Sequence, residues 1–134
     1  MSLSDEERMV LVKYRLEKSH TTLEQAKGNI ELEYWETVAN RLYYAAYYAV
    51  SALLLNNGLS VQTHSGIIQM LGYHFVKKGI ISDELGKHYS RLFSMRQTGD
   101  YGDTFGLTAG DIMPMVEPTE KLIALITELL NQQK

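Results

Sequence analysis

Apolar residues recur at steps of three and four along most of the chain, and strand-like alternation is scarce. Met9, Val12, Leu16, Ser19, Leu23, Ala26 and Ile30 form one such stripe. It predicts a long first helix. Ser4 and Glu7 have capping-box spacing and acids fill the first turn, so this helix starts at Ser4 and runs to about Lys27 or Asn29. A second helix is predicted from about Tyr34 to Asn56. Trp35, Val38, Leu42, Ala46, Ala49 and Leu53 mark one of its faces. Tyr43, Tyr47 and Leu54 form another stripe, and Tyr44, Tyr48 and Leu55 a third. A helix this apolar on most sides lies at the centre or shares a face with a second subunit. Its alanines let a neighbour approach closely, and Asn56-Asn57-Gly58 is a stop signal.

A third helix is expected from about Thr63 to Lys78, with Ile67, Ile68, Leu71 and Phe75 inward. A fourth runs from Ser82 to about Thr98, with Leu85, Tyr89 and Leu92 as its stripe. The segment Gly99 to Gly110 is glycine-rich and polar and reads as a loop. A fifth helix begins near Asp111 or Glu117 and reaches about Asn131, with Leu122, Ile126 and Leu129 inward. The prediction is one all-α domain over residues 1–134. Its architecture is an antiparallel four-helix up-and-down bundle with a short extra C-terminal helix.

Composition narrows the function. The chain has 134 residues, 45% hydrophobic and 22% charged, enough apolar mass to fold alone and unlike a disordered tail. Its net charge of −3 argues against a nucleic-acid binder that works by bulk charge, though a local basic patch is compatible. Without cysteine there is no disulfide scaffold, Cys-ligated zinc or Cys nucleophile. No apolar run is long enough to span a membrane, and the polar, acidic start is unlike a signal peptide. A cytoplasmic protein without membrane contact is expected. The four histidines show no HxxxH pair, so no metal and no cofactor are expected.

The segment from Arg91 to Asp103 carries the most chemistry. Arg96 continues the stripe Leu85, Tyr89, Leu92, which puts a guanidinium on an inward face. A buried cation needs a partner. Asp100, four residues on, has the right spacing, and glycines at 99 and 102 permit a sharp turn that holds Tyr101 nearby. In one reading Arg96 grips a phosphate bidentately and Tyr101 donates a hydrogen bond. In the other, Arg96 and Asp100 simply close the helix end. Asn40 and Arg41 precede the tyrosines of helix two and can join a polar cleft. His64 lies in the first turn of helix three, where it either caps and packs or faces the cleft. The tyrosines themselves read as packing at a core or dimer seam rather than as a base-stacking platform.

Three segments together resemble the HEPN-domain family. They are Asn40 to Leu54 (NRLYYAAYYAVSALL), Thr63-His64-Ser65-Gly66 with His74-Phe75-Val76-Lys77, and Arg96 to Asp103 (RQTGDYGD). The resemblance covers roughly residues 9 to 130. It implies a four-helix bundle with a short extra helix, a homodimer, and a role in RNA- or nucleotide-linked defence. Many HEPN proteins are metal-independent endoribonucleases whose signature is an Arg followed, four to six residues later, by a His. Others pair with a small nucleotidyltransferase as toxin and antitoxin, and some are non-catalytic binding modules. The signature Arg maps onto Arg96. The His does not map: Tyr101 stands there, and no His follows. Some relatives carry a tyrosine two residues beyond that His which the partner modifies; here the place holds Asp103. A phenol with a pKa of about 10 is a poor base near neutral pH.

The favoured expectation is therefore a module binding RNA or a nucleotide through Arg96, Arg41, Asn40 and His64, beside a nucleotidyltransferase partner. One alternative is a metal-independent ribonuclease using Arg96, with Tyr101 and Asp100 in place of the missing His. Another is a non-catalytic dimeric interaction protein.

Overall fold

The computed structural model describes residues 3–101 and 106–132, with backbone only for 99–101. Five α-helices account for nearly all of it: α1 (Asp5–Glu31), α2 (Trp35–Asn56), α3 (His64–Leu71), α4 (Asp83–Tyr101) and α5 (Ala109–Gln132). A π-helical turn, Gly72–Val76, continues α3. The described residues contain no strand, so the all-α expectation holds.

Local signals set the helix ends. The Ser4 hydroxyl accepts from the Glu7 amide at 3.1 Å, and the Glu7 carboxylate accepts from the Ser4 amide at 2.9 Å. That is the full capping box. At the end of α2, Gly58 takes φ of 75°, which lets the Leu59 amide reach the Leu54 carbonyl at 2.9 Å. Gly79, with φ of 77°, repeats the device after the π-helical turn, where the Ile80 amide reaches Phe75. A side chain at either position would strain the backbone.

α2 is the central helix and touches every other α-helix. Its Ala45, Ala46, Ala49 and Ala52 are fully buried. Their small size brings α1 close enough for the buried Ser19 hydroxyl to donate to the Ala45 carbonyl at 2.6 Å. α1 and α5 run antiparallel: His20 meets Thr127 at 3.2 Å, and Lys27 meets Glu120 at 3.0 Å. Leu42, Leu53, Leu71, Ile81, Leu92, Ile112, Leu122, Ile123 and Ile126 fill the space between the helices.

Four boundaries or faces differ from expectation. Met9 is exposed although it sits on the apolar stripe of α1; the stripe becomes buried only from Val12. The third helix does not stay α-helical to Lys78, because the π-helical turn intervenes at Gly72. Gly99 does not turn the chain: α4 continues through it to Tyr101. The last helix is not the short one. It spans 24 residues, and α3, with 8, is the short element. Pro114 and Pro118 lie inside α5 and do not end it. The carbonyls that lose their donors belong to Gly110 and Pro114, both exposed, so water can satisfy them.

Candidate functional site

The first turn of α3 is built to hold His64. Thr63 caps the helix, its hydroxyl accepting from the Gly66 amide at 3.0 Å. A methyl group on Gly66 would come within 2.5 Å of Val61 and 2.7 Å of the Thr63 hydroxyl. Glycine is required there for the cap to close. Thr63-His64-Ser65-Gly66 is thus a local device that fixes where the His64 ring enters the bundle.

The ring enters an aromatic wall on α2 and α4. It stacks on Phe93 with centroids 5.7 Å apart and planes 25° apart. Tyr47 lies 5.3 Å away, Tyr43 5.6 Å and Tyr44 6.4 Å. The His64 Nδ1 is hydrogen-bonded to the Tyr43 hydroxyl. Behind it, the fully buried Tyr89 stacks on Tyr43 at 5.9 Å. Burial pushes the Tyr43 phenol up to about 12, so it keeps its proton, and pushes Tyr89 up as well. His64 moves the other way. Burial, then the Arg96 charge, hold its pKa below the usual histidine value and favour the neutral ring.

Two guanidiniums converge on one neighbouring phenol. Arg96 of α4 donates from Nη2 to the Tyr44 hydroxyl at 3.0 Å and lies 5.3 Å from that ring's centre. It also lies 6.0 Å from the Tyr43 ring. Arg41 of α2 sits 5.5 Å from the same Tyr44 ring. Arg41 is held by neutral groups: its Nε and Nη2 donate to the Asn40 side-chain oxygen at 3.0 and 2.7 Å. Its Nη1 donates to Gln25 of α1 at 3.3 Å. Such cation–π contacts orient guanidiniums without neutralising them.

Of the residues singled out from the sequence, the fold gathers Asn40, Arg41, His64 and Arg96 around Tyr43 and Tyr44. The side chains of Asp100 and Tyr101 lie outside the described residues, as does Gly102. The sharp turn expected at Gly99 is absent, because the helix runs on there. Sequence reasoning missed Tyr43 and Tyr44 as site partners by treating all four tyrosines as packing. The signal was present: Tyr44 follows Asn40 and Arg41 by four and three residues, which places all three on one helix face. Tyr43 is indeed fully buried, yet its hydroxyl reaches the histidine.

Fold and cluster define an all-helical module with two arginines and a histidine set around a tyrosine-rich helix. Residues 12–130 match the HEPN domain, and the chain belongs to that family. A UPF0332 protein of Thermotoga maritima is 35% identical over 96% of this chain and 97% of its own length. "Putative toxin MJ0142" of Methanocaldococcus jannaschii is 32% identical over 66% of this chain and 60% of its own length. Among solved structures, TT1696 from Thermus thermophilus superposes with a TM-score of 0.74. It covers 87% of this chain and 96% of its own at 19% identity, which supports the shared fold. No described helix is long and apolar enough to cross a membrane.

Proposed function

We propose that this chain is a toxin-type HEPN module that binds the phosphate of RNA or of a nucleotide at the Arg96 cluster. A small nucleotidyltransferase partner and a homodimer complete the reading, both drawn from the family resemblance. One observation carries it: Arg96 and Arg41 meet at Tyr44, with His64 on the adjoining ring. The planar fork of a guanidinium suits a bidentate hold on phosphate. The relatives named as toxins support the biological setting.

The test is binding of a labelled RNA pool and of AMP to the purified protein and to Arg96→Ala, with circular dichroism as the fold check. Loss of binding in a folded variant is expected. Equal binding by both proteins sinks the reading.

A metal-independent ribonuclease is the second reading, favoured by His64. A histidine from α3 stands in the arginine cluster, although none follows Arg96 in the sequence. This reading requires RNA cleavage that persists in EDTA and disappears in Arg96→Ala.

A further inference from the structure

We infer that the outer face of α1 and α2 carries a track for single-stranded RNA, in which Tyr14, Tyr48 and Tyr44 offer rings to unpaired bases and Lys18 and Arg41 hold the phosphates between them. This rests on the RNA branch of the reading above and specifies its ligand as an unpaired strand.

Steps of three and four put Arg41, Tyr44 and Tyr48 on one side of α2, and a step of four puts Tyr14 and Lys18 on one side of α1. The two sides meet in antiparallel register. Gln25 reaches Arg41 at 3.3 Å, and the Lys18 ammonium lies 4.9 Å from the centre of the Tyr48 ring. The same ammonium lies 5.8 Å from the Tyr14 ring. Tyr48 in turn lies 6.1 Å from Tyr44, and Arg41 5.5 Å from Tyr44. The order across the surface is Arg41, Tyr44, Tyr48, Lys18, Tyr14, with cations and rings interleaved. From Arg41 to Tyr48 alone it runs about 10 Å along α2.

These side chains are not core. Tyr14 is 56% exposed, Lys18 is exposed, and Arg41, Tyr44 and Tyr48 are partly so. Among the described residues no carboxylate pairs with Lys18 or Arg41; rings and amides hold both cations. Glu17 precedes Lys18, but successive helix residues point about 100° apart, and the two form no ion pair. Glu24, beside Gln25, faces Lys27 at 3.9 Å. α2 has one acid, Glu36 in its first turn, which accepts from the Leu107 amide at 3.2 Å. No Asp or Glu follows until Asp83. A chain of net charge −3 therefore presents an acid-free side along α2, and a polyanion meets attraction there.

The alternation selects the ligand. An unpaired strand shows a π-face and a charge at every residue, and rings interleaved with cations answer both. It lies along a surface and needs no cavity. A duplex keeps its bases stacked inside, so it meets the cations but not the rings. A second copy of the chain fits the strip poorly. Lysine is depleted at the centre of protein interfaces, and strip against strip would bury Lys18 with no acid to face it.

The test is fluorescence anisotropy with a short unstructured oligoribonucleotide and with an RNA duplex of the same length. The parent should bind the single strand more tightly. Tyr14→Ala and Lys18→Ala alter exposed side chains, and circular dichroism should show both folded. Tyr14→Ala should weaken single-strand binding at least about fivefold, the low end for one stacked base. Lys18→Ala should make the salt dependence of binding shallower by about 0.7 in slope, the loss of one phosphate contact, and Lys18→Arg should restore it. Single-strand binding that falls in Arg96→Ala but holds in both Tyr14→Ala and Lys18→Ala overturns this inference and leaves the phosphate reading standing. Duplex binding as tight as that of the single strand overturns it too. Light scattering tests the other occupant: a dimer that Tyr14→Ala splits, with RNA binding unchanged, makes the strip an interface between copies and overturns the track. Absence of RNA binding by the parent overturns the inference together with the RNA branch of the reading above.

Discussion

Two histidines in this protein are held neutral by burial, yet their surroundings differ. His88 on α4 is sealed in the bundle at 2% exposure, and its Nε2–H donates to the Thr119 hydroxyl of α5 at 2.8 Å. The Thr119 hydroxyl donates in turn to the Met115 carbonyl at 2.7 Å. That chain of donors is complete, and it ends in backbone. His64 is half-buried, sits at a helix start, and meets a phenol on one side and an arginine's field on the other. Burial lowers both pKa values, that of His88 to about 4. A shifted pKa therefore does not by itself mark a functional site. Charge and access around the ring make the distinction.

The comparison breaks most sharply at the charged end. Arg96→Ala should weaken phosphate binding by about 2–3 kcal/mol, or roughly 30- to 150-fold, as expected for a lost charge-assisted contact. Thr119→Val should do the opposite. It leaves the His88 N–H buried without an acceptor, at a cost of about 1–3 kcal/mol in stability, with binding unchanged. Denaturant unfolding beside a binding isotherm measures both. A Thr119→Val protein that keeps its stability but loses phosphate would reverse the assignment of the two histidines.

Acid sharpens the contrast next. His88 takes up a proton in the unfolded chain near 6.5 but in the fold only near 4. The folded state binds fewer protons across that window, so stability should fall as pH drops from about 6.5 to about 4. His64 contributes in the same direction, since its pKa is also lowered. Unfolding curves at pH 7, 5.5 and 4 test this. A pH slope in His88→Gln as steep as in the parent would clear His88 of the effect.

Tyr43→Phe is a smaller intervention. It removes the hydroxyl that His64 uses and leaves the stacked ring in place. A loss of about 0.5–1.5 kcal/mol in stability is expected. Stability at the parent's level would show that Tyr43 only packs.

Much of the fold was legible because helical periodicity and caps are local. Ser4 with Glu7, Gly58 after α2, and the alanine-rich face of α2 all behave as their residue types dictate. The errors came where a local rule lost to its context. Glycine at 99 costs a helix only about 1 kcal/mol, too little to stop α4 there. Prolines at 114 and 118 leave α5 intact as well, because the carbonyls they orphan belong to exposed residues. For the site, Arg96, Arg41, Asn40 and His64 could be chosen by residue type, but their meeting place could not. His64 and Arg96 are far apart in sequence and on different helices. Only the shared tyrosine face of α2 brings them together, and that face looked like ordinary packing.

Arg41 gives the smallest expected effect and the finest test of which cation matters. It shares the Tyr44 ring with Arg96, but its hydrogen bonds go to Asn40 and to Gln25 on α1. After burial, it is the Arg96 charge that lowers the His64 pKa. A half-exposed guanidinium acting at a distance is screened by salt. Arg41→Ala should therefore weaken phosphate binding by about 0.5–1 kcal/mol, roughly two- to fivefold, at low ionic strength and by less in 0.5 M salt. Stability should change little. Salt titration of AMP binding in the parent, Arg41→Ala and Arg96→Ala measures all of this. An Arg41→Ala loss as large as that of Arg96→Ala, and equally resistant to salt, would move the phosphate to the Asn40–Arg41 side of Tyr44, away from His64.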